Sequence, residues 1–171
     1  ACVYYLSKPP VASILMKALK TVKPTTMLSV PLIIEKVYKS SILPTIKKSR
    51  TLTWMNIHMN GLMCKIIGIK LKSTFGGHLT FFGIGGAKLD SEVEAFLLKA
   101  GFPYAIGYGL TETSPLLSYA MKKGRTPGSI GYPVKSVRLK LHDVNPETGE
   151  GEIVAKGDNV MLGYYKDPKR T

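Results

Sequence analysis

The stretch Ala105-Ile106-Gly107-Tyr108-Gly109-Leu110-Thr111-Glu112-Thr113-Ser114-Pro115 puts backbone freedom, an aromatic face, hydroxyls and one carboxylate within a single turn of chain. Those are the groups needed to hold a nucleotide. Gly107 and Gly109 allow main-chain conformations closed to other residues and let a ligand approach the backbone. Tyr108 between them offers a flat face to a purine, and stacking of a base on such a ring contributes about 1–3 kcal/mol. Thr111 follows with a hydroxyl for a phosphate oxygen, and Glu112 supplies the hard oxygen that Mg²⁺ prefers when it also binds phosphate. Read from the residues alone, a second possibility stands: a strand running into a loop, with Tyr108 merely packed, since Gly-Tyr-Gly is common and a lone Thr-Glu pair is weak evidence.

Positioning such a turn requires regular elements on either side, and the sequence supplies them. Ser13 to Leu19 reads as an amphipathic helix ending before Pro24, and Met27 to Val30 as a short buried strand. Pro31 opens a helix running to about Ser41. Leu52 to Ile69 is expected to be helical, with Trp54, Ile57, Leu62 and Ile66 facing inward. His58 on that segment has no second histidine nearby and is assigned no chemistry. Gly76-Gly77 marks a loop before a strand over Leu79 to Ile84. Asp90 or Ser91 caps the next helix, Glu92 and Glu94 suit its first turn, Val93, Phe96, Leu97 and Ala100 form its apolar face, and Gly101 ends it. Alternation of strand, turn and helix from 26 to 110 predicts an α/β fold with a layered, mostly parallel sheet and flanking helices. The pattern then switches. Val137 to His142 alternates, Asn145-Pro146-Glu147-Thr148-Gly149 is rich in turn formers, and Glu152 to Ala155 returns, which predicts a small antiparallel β segment. The expected division is an α/β nucleotide-binding subdomain over 1–120 and an antiparallel β subdomain over 121–171, with the switch near 120–128.

Composition narrows the function classes. The 171 residues carry 24 Lys and Arg against 11 Asp and Glu, a formal charge of +13, with 44% hydrophobic residues. The excess is lopsided: through Lys88 there are 13 basic residues against Glu35 alone, and the remainder is nearly balanced. A basic half of that strength raises nucleic acid or an anionic membrane as partners. The positive residues are dispersed, however. Lys47-Lys48-Ser49-Arg50 is the tight cluster and has no interleaved aromatics for stacking, so a solvated face is favoured, a peripheral membrane contact comes second and nucleic acid is disfavoured. Lys122, Lys123 and Arg125 are candidates to meet phosphates, with a solvated loop the preferred reading. No run of about 18 or more uncharged apolar residues occurs, so nothing is expected to span a bilayer. Cys2 and Cys64 form neither a metal spacing nor a disulfide framework, which suits a reducing, cytoplasmic setting, with the inner face of a membrane as the peripheral alternative. The sequence starts at Ala1 and leaves targeting open.

The order of residues adds a family. Tyr108 to Pro115 resembles the signature of the adenylate-forming (AMP-binding) superfamily, and most closely that of the long-chain acyl-CoA synthetases. Phe82 to Asp90 is similar to the family's Gly-Gly-Ala turn, and Pro127 to Pro133 to its Gly-Ser-Val-Gly-x-Pro segment. Gly151 to Gly157 and Val160 to Tyr165 are similar to the strand motif that follows, and Lys23 to Pro31 to a strand of the same proteins, so the likeness spans nearly the whole chain. The resemblance implies a slot beyond the ends of two strands, where Gly85, Gly86, Ala87, Gly107, Tyr108, Gly109 and Leu110 contact adenosine, Thr111 the α-phosphate and Glu112 the Mg²⁺. Thr111 and Glu112 are thereby the catalytic candidates. Two departures stand out: Ile84 occupies a position where relatives often have Ser, and Lys88 one where many have Pro.

The implied activity is ATP-dependent ligation of a fatty acid to coenzyme A through an acyl-adenylate. The substrates would be fatty acid, ATP and coenzyme A, with Mg²⁺ accompanying the nucleotide. The family's phosphate loop would precede residue 1, and its ribose-binding aspartate and catalytic lysine would follow residue 171. The chain is therefore expected to be an internal piece of a larger enzyme, inactive by itself. Alternatives are aryl, short-chain or amino-acid activation, and a non-catalytic basic module for anionic membrane or nucleic acid. Acyl-chain length and oligomeric state are left open.

Overall fold

A computed structural model describes residues 2–5, 12–44, 60–121 and 126–171. Contacts divide the chain into two compact units, Ala1–Tyr104 and Ala105–Thr171. The division falls ahead of the change in residue pattern near 120–128.

In the first unit, α1 (Ala12–Val22) stops ahead of Pro24, and β1 (Thr26–Ser29) follows. Pro31 sits in the first turn of α2 (Pro31–Val37), where its missing N–H costs nothing. The helix continues through a π-helical turn over Tyr38–Ile42. α3 (Asn60–Thr74) leads to β2 (Phe81–Ile84), which pairs in parallel with β1 in the register Thr26–Phe81 to Ser29–Ile84. α4 (Ser91–Lys99) is capped by Asp90, whose carboxylate accepts from the N–H groups of Glu92 and Val93, and Gly101 closes it at φ +66°.

The core of this unit is aromatic and aliphatic. Phe75, Phe82 and Phe102 meet edge to face with centroids 5.2 to 6.0 Å apart. Leu71, Leu79, Ile84, Val93 and Leu97 are buried around them. Glu35, the lone acid in the first half of the sequence, serves the fold, because its Oε1 accepts from the Asp90 N–H at 3.0 Å and ties α2 to the cap of α4. Tyr38 donates to Glu92 at 3.3 Å, and burial beside that carboxylate pushes its phenol up to about 12.

The expected apolar face of α4 is confirmed, with Val93, Phe96, Leu97 and Ala100 all buried. Two expectations need correction. Ile66 is 53% exposed, because the buried stripe of α3 follows Cys64, Ile67, Leu71 and Phe75 instead. β1 is only half buried: the two-residue period of a strand turns Leu28 away from the side that Met27 and Ser29 face, leaving it 77% exposed. Trp54, Ile57, His58 and the 47–50 cluster lie outside the described residues, as do Lys122, Lys123 and Arg125.

In the second unit, β3 (Tyr104–Tyr108), which begins at the last residue of the first, pairs antiparallel with β4 (Ser118–Ala120), setting Gly107 opposite Tyr119 and Tyr108 opposite Ser118. β4 in turn pairs antiparallel with β5 (Tyr132–Pro133). Between them Thr126-Pro127-Gly128-Ser129 forms a turn closed by Ser129 N–H to Thr126 carbonyl at 3.0 Å, with Gly128 at φ +80° where a type II turn requires it. β6 (Val137–His142) and β7 (Glu152–Gly157) make the expected hairpin, paired from Val137–Gly157 to His142–Glu152. Asn145 organises its loop by accepting from the N–H groups of Glu147 and Thr148. Strand pairing is thus mixed, and the chain is an α/β fold with a two-stranded antiparallel sheet near its end. Among the described residues, no helix is long and apolar enough to cross a membrane.

Candidate functional site

In the first unit, the Gly-Gly-Ala turn follows β2 directly. Gly85 donates its N–H to the Ser29 carbonyl at 3.2 Å, so the turn is anchored to the end of β1. Gly86 adopts φ +87°, a conformation that strongly favours glycine, and both Gly86 and Ala87 are exposed. Ile84 is buried and contributes to the core. Lys88 is exposed.

In the second unit, the signature stretch starts at the end of β3. Gly107, Tyr108 and Gly109 are half-buried and Leu110 and Thr111 exposed. After Leu110 in extended conformation, Thr111–Thr113 form one 3₁₀ turn, and Ser114 reverses the chain in the left-handed region at φ 53°. Thr113, not singled out in the sequence, is the internal tie. Its buried hydroxyl accepts from the Leu110 N–H at 3.0 Å and faces the carbonyls of Leu110 and Pro115 at 3.0 and 3.1 Å. A polar side chain three residues after an orphaned N–H at a helical start is a recognisable signal. Thr113→Val keeps the shape and removes these bonds, so it should cost about 1–3 kcal/mol, measured as a lowered urea midpoint of the full-length protein. An unchanged midpoint would exclude this role.

A second set of contacts, not foreseen in the sequence, comes from the segment after β7. Asn159 donates through Nδ2 to the carbonyls of Thr113 and Leu116 at 2.7 and 2.9 Å, and the Met161 N–H donates to the Glu112 carbonyl at 2.8 Å. The Tyr164 hydroxyl donates to Glu112 Oε1 at 2.7 Å. That bond holds the Glu112 carboxyl below the usual carboxylate range, and a backbone hydrogen bond adds to it. The same contact pushes the Tyr164 phenol up. Glu112 therefore stays charged at neutral pH, and among the described residues no cation pairs with it.

A carboxylate kept ionised by a neutral phenol is chemically suited to a divalent cation. No cluster of three or more His, Cys, Asp or Glu occurs among the described residues. One hard oxygen donor fits a Mg²⁺ that arrives with phosphate oxygens and keeps its waters, and it does not fit a cage built wholly from protein. The second half of the signature is thus a turn braced at its hydroxyl, its carbonyls and its acid.

The sequence pattern of the AMP-binding enzyme family matches residues 1–165, and the chain belongs to that family. It is 36% identical over 121 residues to long-chain-fatty-acid–CoA ligase 1 of Homo sapiens, an alignment covering 67% of this chain and 17% of the relative. It is likewise 36% identical over 121 residues to the probable chloroplastic acyl-activating enzyme 16 of Arabidopsis thaliana, covering 67% of this chain and 16% of that protein. The chain therefore spans about one sixth of these relatives. Among solved structures, an anthranilate CoA ligase in complex with anthranoyl-AMP superposes with a TM-score of 0.68 at 18% identity, covering 99% of this chain and 29% of that one, which shows a shared fold.

Proposed function

We propose that this chain is part of an ATP-dependent long-chain fatty acid–CoA ligase, which converts a fatty carboxylate to acyl-AMP and then transfers the acyl group to coenzyme A. The observation that carries this reading is the braced signature turn, with an ionised Glu112 free of cationic partners among the described residues. The identity to a long-chain-fatty-acid–CoA ligase supports the acyl class.

In this reading Gly107 and Gly109 let main-chain groups approach the adenosine, with Leu110 beside them. Tyr108 stacks on the base, and Thr111 donates to the α-phosphate. Glu112 would hold a Mg²⁺ bound with ATP, and that cation would supply charge neutralisation at the phosphate oxygens during adenylate formation. Glu112 holds its charge toward that cation. Positioning and charge neutralisation, with no covalent bond to the protein, are the whole demand on these residues.

The test is acid-dependent pyrophosphate exchange by the full-length protein across a panel of short-chain, long-chain, aryl and amino acids. Long-chain acids should exceed the others in kcat/KM by at least about tenfold, the scale on which pockets separate apolar groups. A preference for aryl, short-chain or amino acids would overturn the acyl assignment and keep the adenylating one. Absence of any acid-dependent exchange would overturn both.

A further inference from the structure

The segment after β7 makes four contacts with the signature turn, and they divide by what they hold. Three secure carbonyls: Asn159 on Thr113 and Leu116, and the Met161 N–H on Glu112. Only the fourth, Tyr164 hydroxyl to Glu112 Oε1 at 2.7 Å, reaches the carboxylate.

A glutamate side chain on a one-turn helix has several rotatable bonds and would otherwise sample many orientations. We propose that Tyr164 is a positioning residue for Glu112, engaging one carboxylate oxygen so that the other is available in a fixed orientation to a divalent cation bound with ATP. The inference rests on the reading of Glu112 as the metal-binding acid. A phenol suits this role better than an amine or guanidinium, because it orients the carboxylate without cancelling the charge the cation needs.

Tyr164 is itself held in place. Its backbone N–H donates to Thr171 Oγ1 at 2.9 Å, that hydroxyl donates to the Asp167 carbonyl at 3.0 Å, and the Arg170 guanidinium lies 5.8 Å from its ring centroid. Gly163 before it adopts φ +152°, and a Cβ there would lie 2.4 Å from the Thr171 side chain, so glycine lets the chain pass against the residue that anchors Tyr164. Groups that orient a metal ligand commonly govern metal affinity as strongly as many ligands do.

The experiment uses the full-length enzyme. Tyr164→Phe keeps the ring and removes the hydroxyl, so it should raise the Mg²⁺ concentration for half-maximal adenylate formation by about tenfold or more. The KM for ATP at saturating Mg²⁺ and the unfolding midpoint should stay near wild type. A second readout needs no turnover. In protein labelled at tyrosine Cζ, the resonance lost in Tyr164→Phe should shift when Mg²⁺ and a non-hydrolysable ATP analogue are added, and should not shift in Glu112→Gln. Unchanged Mg²⁺ dependence in Tyr164→Phe, or an unmoved Tyr164 resonance in the wild type, overturns the positioning role while leaving Glu112 in place. Wild-type Mg²⁺ dependence in Glu112→Gln instead removes the metal reading on which the role rests.

Discussion

Glu112→Gln in the full-length protein should slow formation of the acyl-adenylate by a factor on the order of 10²–10³, the loss seen when one preorganised electrostatic group is removed from an active site. The substitution isolates charge from shape. Glutamine keeps an oxygen that accepts from the Tyr164 hydroxyl, and the Glu112 carbonyl that receives the Met161 N–H is main chain and unaffected. Stability should therefore change by no more than about 0.5 kcal/mol, as for surface substitutions that leave packing intact. The amide has no charge to offer a cation, so the loss should fall on chemistry. Single-turnover release of pyrophosphate measures it, with the urea midpoint recorded in parallel. Near-normal release would refute the role of Glu112. A large fall in stability would show that the carboxylate serves the fold.

What the sequence revealed and what it hid divide by distance along the chain. The Asp90 cap, the Gly101 stop, Pro31 at a helix start and the Asn145 loop all depend on partners within about four residues. Each was legible because the side chain and the backbone group it satisfies lie in one short window. The apolar face of α4 was legible for the same reason. The stripe of α3 was not, since its strongly apolar composition, with Ile66, Ile67, Ile69 and Leu71 close together, allows more than one inward face. Only the packing chose the one through Cys64, Ile67 and Leu71. The candidate site divides likewise. Types and order of residues in 105–115 and 82–90 were enough to suggest nucleotide chemistry. The tie between Tyr164 and Glu112 spans 52 residues and has no local signature. Asn159 is equally remote from Thr113, at 46 residues. Tyr164 was visible as part of a motif, yet nothing in the motif says that its hydroxyl ends on an acid.

Gly109→Ala should be among the most damaging single-methyl changes in the second unit. A Cβ at 109 would lie 1.6 Å from the Pro115 carbonyl oxygen, 2.7 Å from its carbon and 3.0 Å from the Leu117 nitrogen. All three are main-chain atoms, so no rotamer change relieves the overlap, and the chain must open between Gly109 and Pro115. Opening it strains the bond from the Leu117 N–H to the Tyr108 carbonyl, 2.8 Å in the closed turn, and pulls Pro115 from the Thr113 hydroxyl. Both bonds set the path of the chain through Thr111 and Glu112. The expected cost is about 3 kcal/mol or more, the upper range for forced overpacking, and adenylate formation should fall by more than the unfolded fraction accounts for. Gly149→Ala is the control in the same unit. Gly149 has φ +71°, and a methyl group there would meet nothing within 4 Å, so that variant should lose only the backbone strain of a left-handed alanine, about 1–2 kcal/mol. Urea midpoints of both variants, followed by pyrophosphate release under conditions where each is fully folded, separate the two effects. Equal midpoints for the two would contradict the close approach at Pro115. A Gly109→Ala protein with wild-type release would show that the shape of this turn does not govern the chemistry of Thr111 and Glu112.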